Sequence, residues 1–202
     1  REQVKSQFRS VSGQLDALRD WARRIVAGDG LVPVSALMTR LEGQVGPKLA
    51  RRQLTDAADV LARIGFGLAP DPRFALRAPR LDEPVVLFEL PQPVARLEDV
   101  GEEFRSGLLQ IALGCVVAQA DGQVSPDEER ALRAQLDEIA GLTEVERIML
   151  KANLDWFLAV PPDMVQLRGR MKEVGTGQEE NLRRAVVSVT HADGAVAAAE
   201  VA

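Results

Sequence analysis

The sequence predicts a mainly α-helical protein in two parts, the first of which carries a small β-hairpin. Three observations lead there. Apolar residues recur at three- and four-residue intervals along most of the 202 residues, the period of a helix with one buried face. Only two stretches, both between residues 70 and 90, have the alternation or the β-branched apolar composition of strands. The segment Leu90-Pro91-Gln92-Pro93 can be neither helix nor central strand, because its prolines lack a donor and fix φ. At about 150 residues per domain, the length suits one or two domains, and the reading here is two, 1–92 and 97–202.

The first element is a helix. Val4, Phe8, Val11, Leu15, Leu18, Ala22 and Ile25 step alternately by four and three, a narrow apolar seam that Gly28-Asp29-Gly30 ends. Such a seam packs on its own domain or, being this narrow, on a partner helix as a coiled coil. A helix over about Val34–Glu42 and another over about Ala50–Ile64 follow. Arg73–Arg77 alternates, and Val85–Leu90 is β-branched and apolar, so the two are expected to pair as a hairpin. Helix, helix, hairpin is the order of a winged helix. Beyond residue 96 no strand is expected. Helices are predicted over about 97–120, 126–140, 144–160, 164–172 and 178–192, and onward from Val196, separated by Gly141, Pro161-Pro162 and Gly175-Thr176-Gly177.

Charge divides in the same place. Residues 1–100 carry 15 basic and 13 acidic side chains, and residues 101–202 carry 10 and 17, which makes the overall net charge of −5 a near-neutral part beside an acidic one. Residues 46–80 hold seven basic side chains against three acidic. That footprint fits a nucleic-acid surface using Arg51, Arg52 and Arg77. A solvated basic face, or a patch docking the acidic half, explains it as well, and no phosphate-binding motif accompanies it.

Scarce side chains exclude much chemistry. The chain owns one cysteine, Cys115, and one histidine, His191, so multi-Cys/His zinc sites and internal disulfides are ruled out. Aromatic residues are 4% of the chain, too few for a stacking platform along single strands. Cys115 sits in an apolar run and reads as core. No nucleophile stands beside a base, and His191 reads as a capping or surface residue, so an enzyme is not expected. No run of apolar residues is long enough to span a bilayer. The chain opens on Arg1 without a signal-peptide pattern, as a segment of a longer intracellular protein would. Carboxylates are plentiful, so any bound metal is expected to be a hard cation held by oxygen.

The most informative feature is a repeat. Val116–Glu128 reads VVAQADGQVSPDE and Ser188–Glu200 reads SVTHADGAVAAAE. A shift of 72 places Ala120, Asp121, Gly122, Val124 and Glu128 on Ala192, Asp193, Gly194, Val196 and Glu200. Each copy is a helix end, an Asp-Gly-x-Val turn, and a new helix with Glu seven residues after the Asp. This spacing matches the last eight positions of an EF-hand loop, Asp-Gly-x-Val-x-x-x-Glu. The first half of that loop is missing, since Val117, Gln119, Val189 and His191 stand where it needs oxygen ligands. Two half-loops brought together would offer Asp121, Glu128, Asp193 and Glu200 to calcium, magnesium or manganese. For the first copy a purely structural role also suffices. Ser125-Pro126-Asp127-Glu128 is a capping box. The second copy has Ala197 in the serine position and keeps both acids.

Residues 100–202 resemble the TerB-like family, the helical domain of bacterial tellurite-resistance and stress proteins. The residues carrying the resemblance are Ala120–Glu129, Ala192–Val196 and the small apolar helix Leu108–Val117. The resemblance implies an all-helical domain with pseudo-two-fold symmetry. It also implies a metal site at Asp121, Glu128, Asp193 and Glu200, no organic cofactor, and a role as sensor or scaffold. Partners would be proteins of a stress-response complex or other domains of the same longer chain, in the cytoplasm or at the inner face of the membrane. Against the family pattern, the second copy lacks the Ser-Pro cap.

Overall fold

The computed structural model describes residues 2–94 and 96–171, without the side chains of residues 2–10 and Leu97. The predicted helices at 178–192 and from 196 lie outside the described residues. In chain order the elements are α1 (Glu2–Ala27), β1 (Leu31–Pro33), α2 (Val34–Glu42), α3 (Arg51–Arg63), β2 (Phe66–Ala69), β3 (Pro84–Glu89), a 3₁₀ turn (Leu97–Asp99), α4 (Glu102–Ala118), α5 (Pro126–Glu138), α6 (Glu144–Ala159) and α7 (Met164–Met171). The protein is mainly helical with one small sheet, as expected.

α1 stops where Gly28 and Gly30 donate to the Ile25 carbonyl, both at 3.1 Å. Gly30 has φ +75°, and a Cβ there would lie 2.7 Å from the Leu87 carbonyl oxygen. The turn must therefore be glycine for the chain to enter β1 against β3. The sheet is antiparallel in the order β1-β3-β2, with Leu31 opposite Val86 and Leu68 opposite Leu87.

The predicted hairpin needs one correction. β3 forms as expected, but its partner is Phe66–Ala69 and not Arg73–Arg77. All four residues of β2 are buried, so the strand shows no in-out alternation to read. Arg73–Arg77 belongs to the 70–83 connection. Its alternation comes from two arginines held by carboxylates and from Phe74 and Leu76, which pack on the second core. Phe74 and Ala75 donate to the Asp71 carbonyl in a turn, at 3.1 and 2.8 Å. With that change, helix, helix, hairpin is the order of α2, α3, β2 and β3.

The sheet lies between two cores. Along β3, Val85 and Leu87 join Val32, Phe66, Leu68 and the apolar faces of α1, α2 and α3. Val86 and Phe88 point the other way and join α4, α5, α6 and α7. This is the period-two alternation of a strand with both faces covered. α4 is buried almost all round, including Gly107, Ile111, Ala112, Gly114 and Cys115. Its small residues admit close neighbours: a Cβ on Gly107 would stand 3.0 Å from Leu150 Cδ1 and 3.2 Å from Ile139 Cδ1. α6 thus packs on α4 with one face and on the sheet with another. Thr143 caps α6 by accepting from the Glu146 amide at 3.1 Å. The Arg147 guanidinium donates to the carbonyls of Leu136 and Ile139 at 2.8 and 2.9 Å, which satisfies the C-terminal end of α5.

Candidate metal centre

The first Asp-Gly-x-Val turn joins α4 to α5. Gln119, in the first residue after α4, donates its amide to the Cys115 carbonyl at 3.0 Å. Its side chain reaches the Phe157 carbonyl on α6 at 3.3 Å. Gly122 has φ +115°, where a Cβ would be strained, and its amide donates to the Gln119 carbonyl at 3.0 Å. Val124 packs, half-buried, against the second core. A glycine turn followed by an apolar anchor fixes the direction in which α5 leaves.

The two acids of this copy occupy different environments. Asp121 is exposed in the turn. Glu128 is only 2% exposed. Its Oε2 accepts from the Ser125 amide at 2.7 Å, while the Glu128 amide donates to Ser125 Oγ at 3.2 Å. The predicted capping box is therefore formed in full, with Pro126 in the first turn. Asp127 pairs with Arg130 on the same helix. Glu129 accepts from Arg133 on the same helix, and Arg133 Nη2 also reaches Asp155 on α6, both at 2.8 Å, so Arg133 ties α5 to α6.

Asp193, Glu200 and His191, with the rest of the second copy, lie outside the described residues. Among the described residues no group of three or more His, Cys, Asp or Glu is placed to hold a metal ion. Cys115 is fully buried, and burial pushes its thiol up to about 12, so it is an inert core residue as read from sequence.

The three arginines proposed for nucleic acid are placed apart in role. Arg51 donates to the Pro72 carbonyl at 2.8 Å and so pins the 70–83 connection to α3. Arg52 is exposed, with Asp56 at 3.9 Å one turn on. Arg77 forms a two-pronged pair with Glu83, both bonds at 2.8 Å, and its guanidinium lies 5.0 Å from the centre of the Trp156 ring. Arg73 is used similarly, donating to Asp71 at 2.6 Å and to Asp59 at 3.1 Å. Much of the basic excess of residues 46–80 thus holds the 70–83 connection in place. Sequence reasoning missed this use. Only the nearness of Asp71 and Glu83 hinted at it, and Asp59 and Trp156 come close only in the folded chain.

No helix among the described residues is long and apolar enough to cross a membrane. No curated protein and no solved structure matches the chain. Residues 108–202 match the family model described as Tellurite resistance protein TerB. The match begins inside α4, takes in both Asp-Gly-x-Val turns, and leaves residues 1–107 outside it. The second half of the chain therefore carries a TerB domain.

Proposed function

We propose that the protein is a non-catalytic module of the tellurite-resistance type, in which carboxylates of the two Asp-Gly-x-Val-x-x-x-Glu turns hold a divalent cation and join the two repeats. The observation that carries this reading is the second copy. Capping accounts fully for Glu128, but Ala197 cannot cap, and Asp193 and Glu200 still recur at the same spacing. The first turn suits the role in part: Asp121 is open to solvent, and Glu128 is held in a fixed rotamer by its bond to Ser125. Protein partners in a stress-response complex on the cytoplasmic side follow from the family resemblance.

The test is thermal unfolding with calcium, magnesium and manganese, each titrated into wild type and Asp121→Asn, Asp193→Asn and Glu128→Gln variants. A bound ion stabilises by about 2.7 kcal/mol at a hundred times its dissociation constant. Wild type should gain melting temperature with at least one ion, and each variant should gain less. Identical responses from all four proteins would remove these carboxylates from any metal site.

A second reading, nucleic-acid binding by the winged-helix-like first half, is supported by the helix, helix, hairpin order of α2, α3, β2 and β3 and by the basic excess of residues 46–80. Since Arg77 and Arg51 are engaged within the fold, its test is charge reversal at Lys48, Arg52 and Arg63, all exposed. Duplex binding that falls steeply with salt and is lost in the triple variant would favour it. No binding at low salt would end it.

A further inference from the structure

We infer that the 70–83 connection and the end of α6 form a joint that makes the two halves of the chain one cooperative unit, so that binding or loosening in either half is felt in the other. Domains of one chain move independently unless the surface between them is large and apolar. Here that surface is part of a core. Ala69 and Val86, from the first half, are buried in the second core, and Phe74, Leu76, Phe88 and Leu90 pack against it. Phe74 meets Phe104 of α4 edge to face, with ring centres 6.2 Å apart. β3 serves both cores at once, with Val85 and Leu87 in the first and Val86 and Phe88 on the second. Loss of either core bares one face of that strand to water and takes a wall from the other core.

Polar contacts fasten the 70–83 connection on both sides. Toward the first core, Arg51 donates to the Pro72 carbonyl at 2.8 Å and Arg73 donates to Asp59 of α3 at 3.1 Å. Toward the second, the Arg77 guanidinium lies 5.0 Å from the centre of the Trp156 ring. Near the end of α6, three successive residues take contacts from three directions. Asp155 accepts from Arg133 of α5 at 2.8 Å. Trp156 Nε1 donates to the Pro84 carbonyl at 2.9 Å. The Phe157 carbonyl accepts from Gln119, beside the first Asp-Gly-x-Val turn, at 3.3 Å. One stretch of helix thus holds α5, that turn and the first half together. In such a unit, free energy gained by binding in one half protects the other by the same amount.

The test is hydrogen exchange followed by mass spectrometry on the whole chain in rising urea, reading α3 in the first half and α6 in the second. The most protected amides of both helices should be lost at one urea concentration. Core substitutions should then move both together. Leu61→Ala, 0% exposed in the first core, should lower the urea midpoint of α6 by as much as that of α3. Leu132→Ala, 0% exposed in the second core, should lower α3 by as much as α6. Trp156→Phe, at the joint itself, should lower both by one amount. Val32→Ala and Ile111→Val put the same question to the two cores with smaller cavities if a leucine variant does not fold. Separate midpoints for α3 and α6 in wild type overturn the inference. So does any of these substitutions whose effect stays within its own half.

Discussion

The indole Nε1 of Trp156, in the last turn of α6, donates a 2.9 Å hydrogen bond to the carbonyl of Pro84, the first residue of β3. The two residues are 72 positions apart and tie the TerB half to the sheet of the first half. The same ring carries the Arg77 guanidinium on its face, and Arg77 in turn holds Glu83, next to Pro84. One aromatic side chain thus closes a loop of contacts between the 70–83 connection, β3 and α6.

Replacing Trp156 by Phe should destabilise the fold by about 1–3 kcal/mol. The change leaves the Pro84 carbonyl without this donor and weakens the stacking of Arg77. Trp156→Ala should cost about 3–5 kcal/mol, since the side chain is 2% exposed. Urea unfolding followed by circular dichroism measures both. Equal stability of wild type and Trp156→Phe would show that the bond contributes nothing net.

Glu83 gives this region a pH dependence. Burial raises its carboxyl pKa, but the Arg77 and Arg80 hydrogen bonds and the charges of both arginines outweigh that and leave it below the ordinary value of 4.5. A depressed folded-state pKa means stability that is fully present above 4.5 and is lost as pH falls through the folded value. Wild type should therefore lose stability on acidification from pH 5 more steeply than Glu83→Gln does. Parallel curves of melting temperature against pH would refute the link.

Glu128→Ala and Glu128→Gln separate capping from charge. Glutamine keeps an acceptor for the Ser125 amide, whereas alanine leaves that amide unpaired. In metal-free buffer Glu128→Ala should cost about 0.5–2 kcal/mol and Glu128→Gln distinctly less. If both variants lose the same stability, the bond at Ser125 is not what holds this turn.

Cys115 should resist modification. A buried thiol with its pKa near 12 is almost wholly protonated at neutral pH. A thiol reagent should therefore label it only as fast as the protein opens, and rapidly in urea. Prompt stoichiometric labelling of the native chain would contradict the packing of α4.

Gly30→Ala should destabilise by more than 1 kcal/mol, because the backbone is left-handed there and the new Cβ meets the Leu87 carbonyl. Gly46→Ala, with nothing within 4 Å, is the matched control. Comparing their melting temperatures decides whether the β1–β3 contact depends on that glycine.

Local pattern carried the helices. α2, α3, α5, α6 and α7 begin and end within two residues of where periodicity, Gly141, Pro161-Pro162 and the Ser125 cap placed them. Each such signal is a property of a few neighbouring residues. The capping box at Ser125–Glu128 was legible for the same reason, as was the buried, small-residue character of α4. Three things depended on contacts between distant residues. β2 was missed because burial on both faces removes the alternation that marks a strand. The basic cluster was read as a surface because nothing in sequence shows that Arg73 reaches Asp59 or that Arg77 lies on Trp156. The α1 seam reads as uniform, yet the fold buries it from Leu18 onward and leaves Val11 and Leu15 in solvent. A hydrophobic period says which face of a helix is apolar, and only the packed neighbours decide how much of that face is covered.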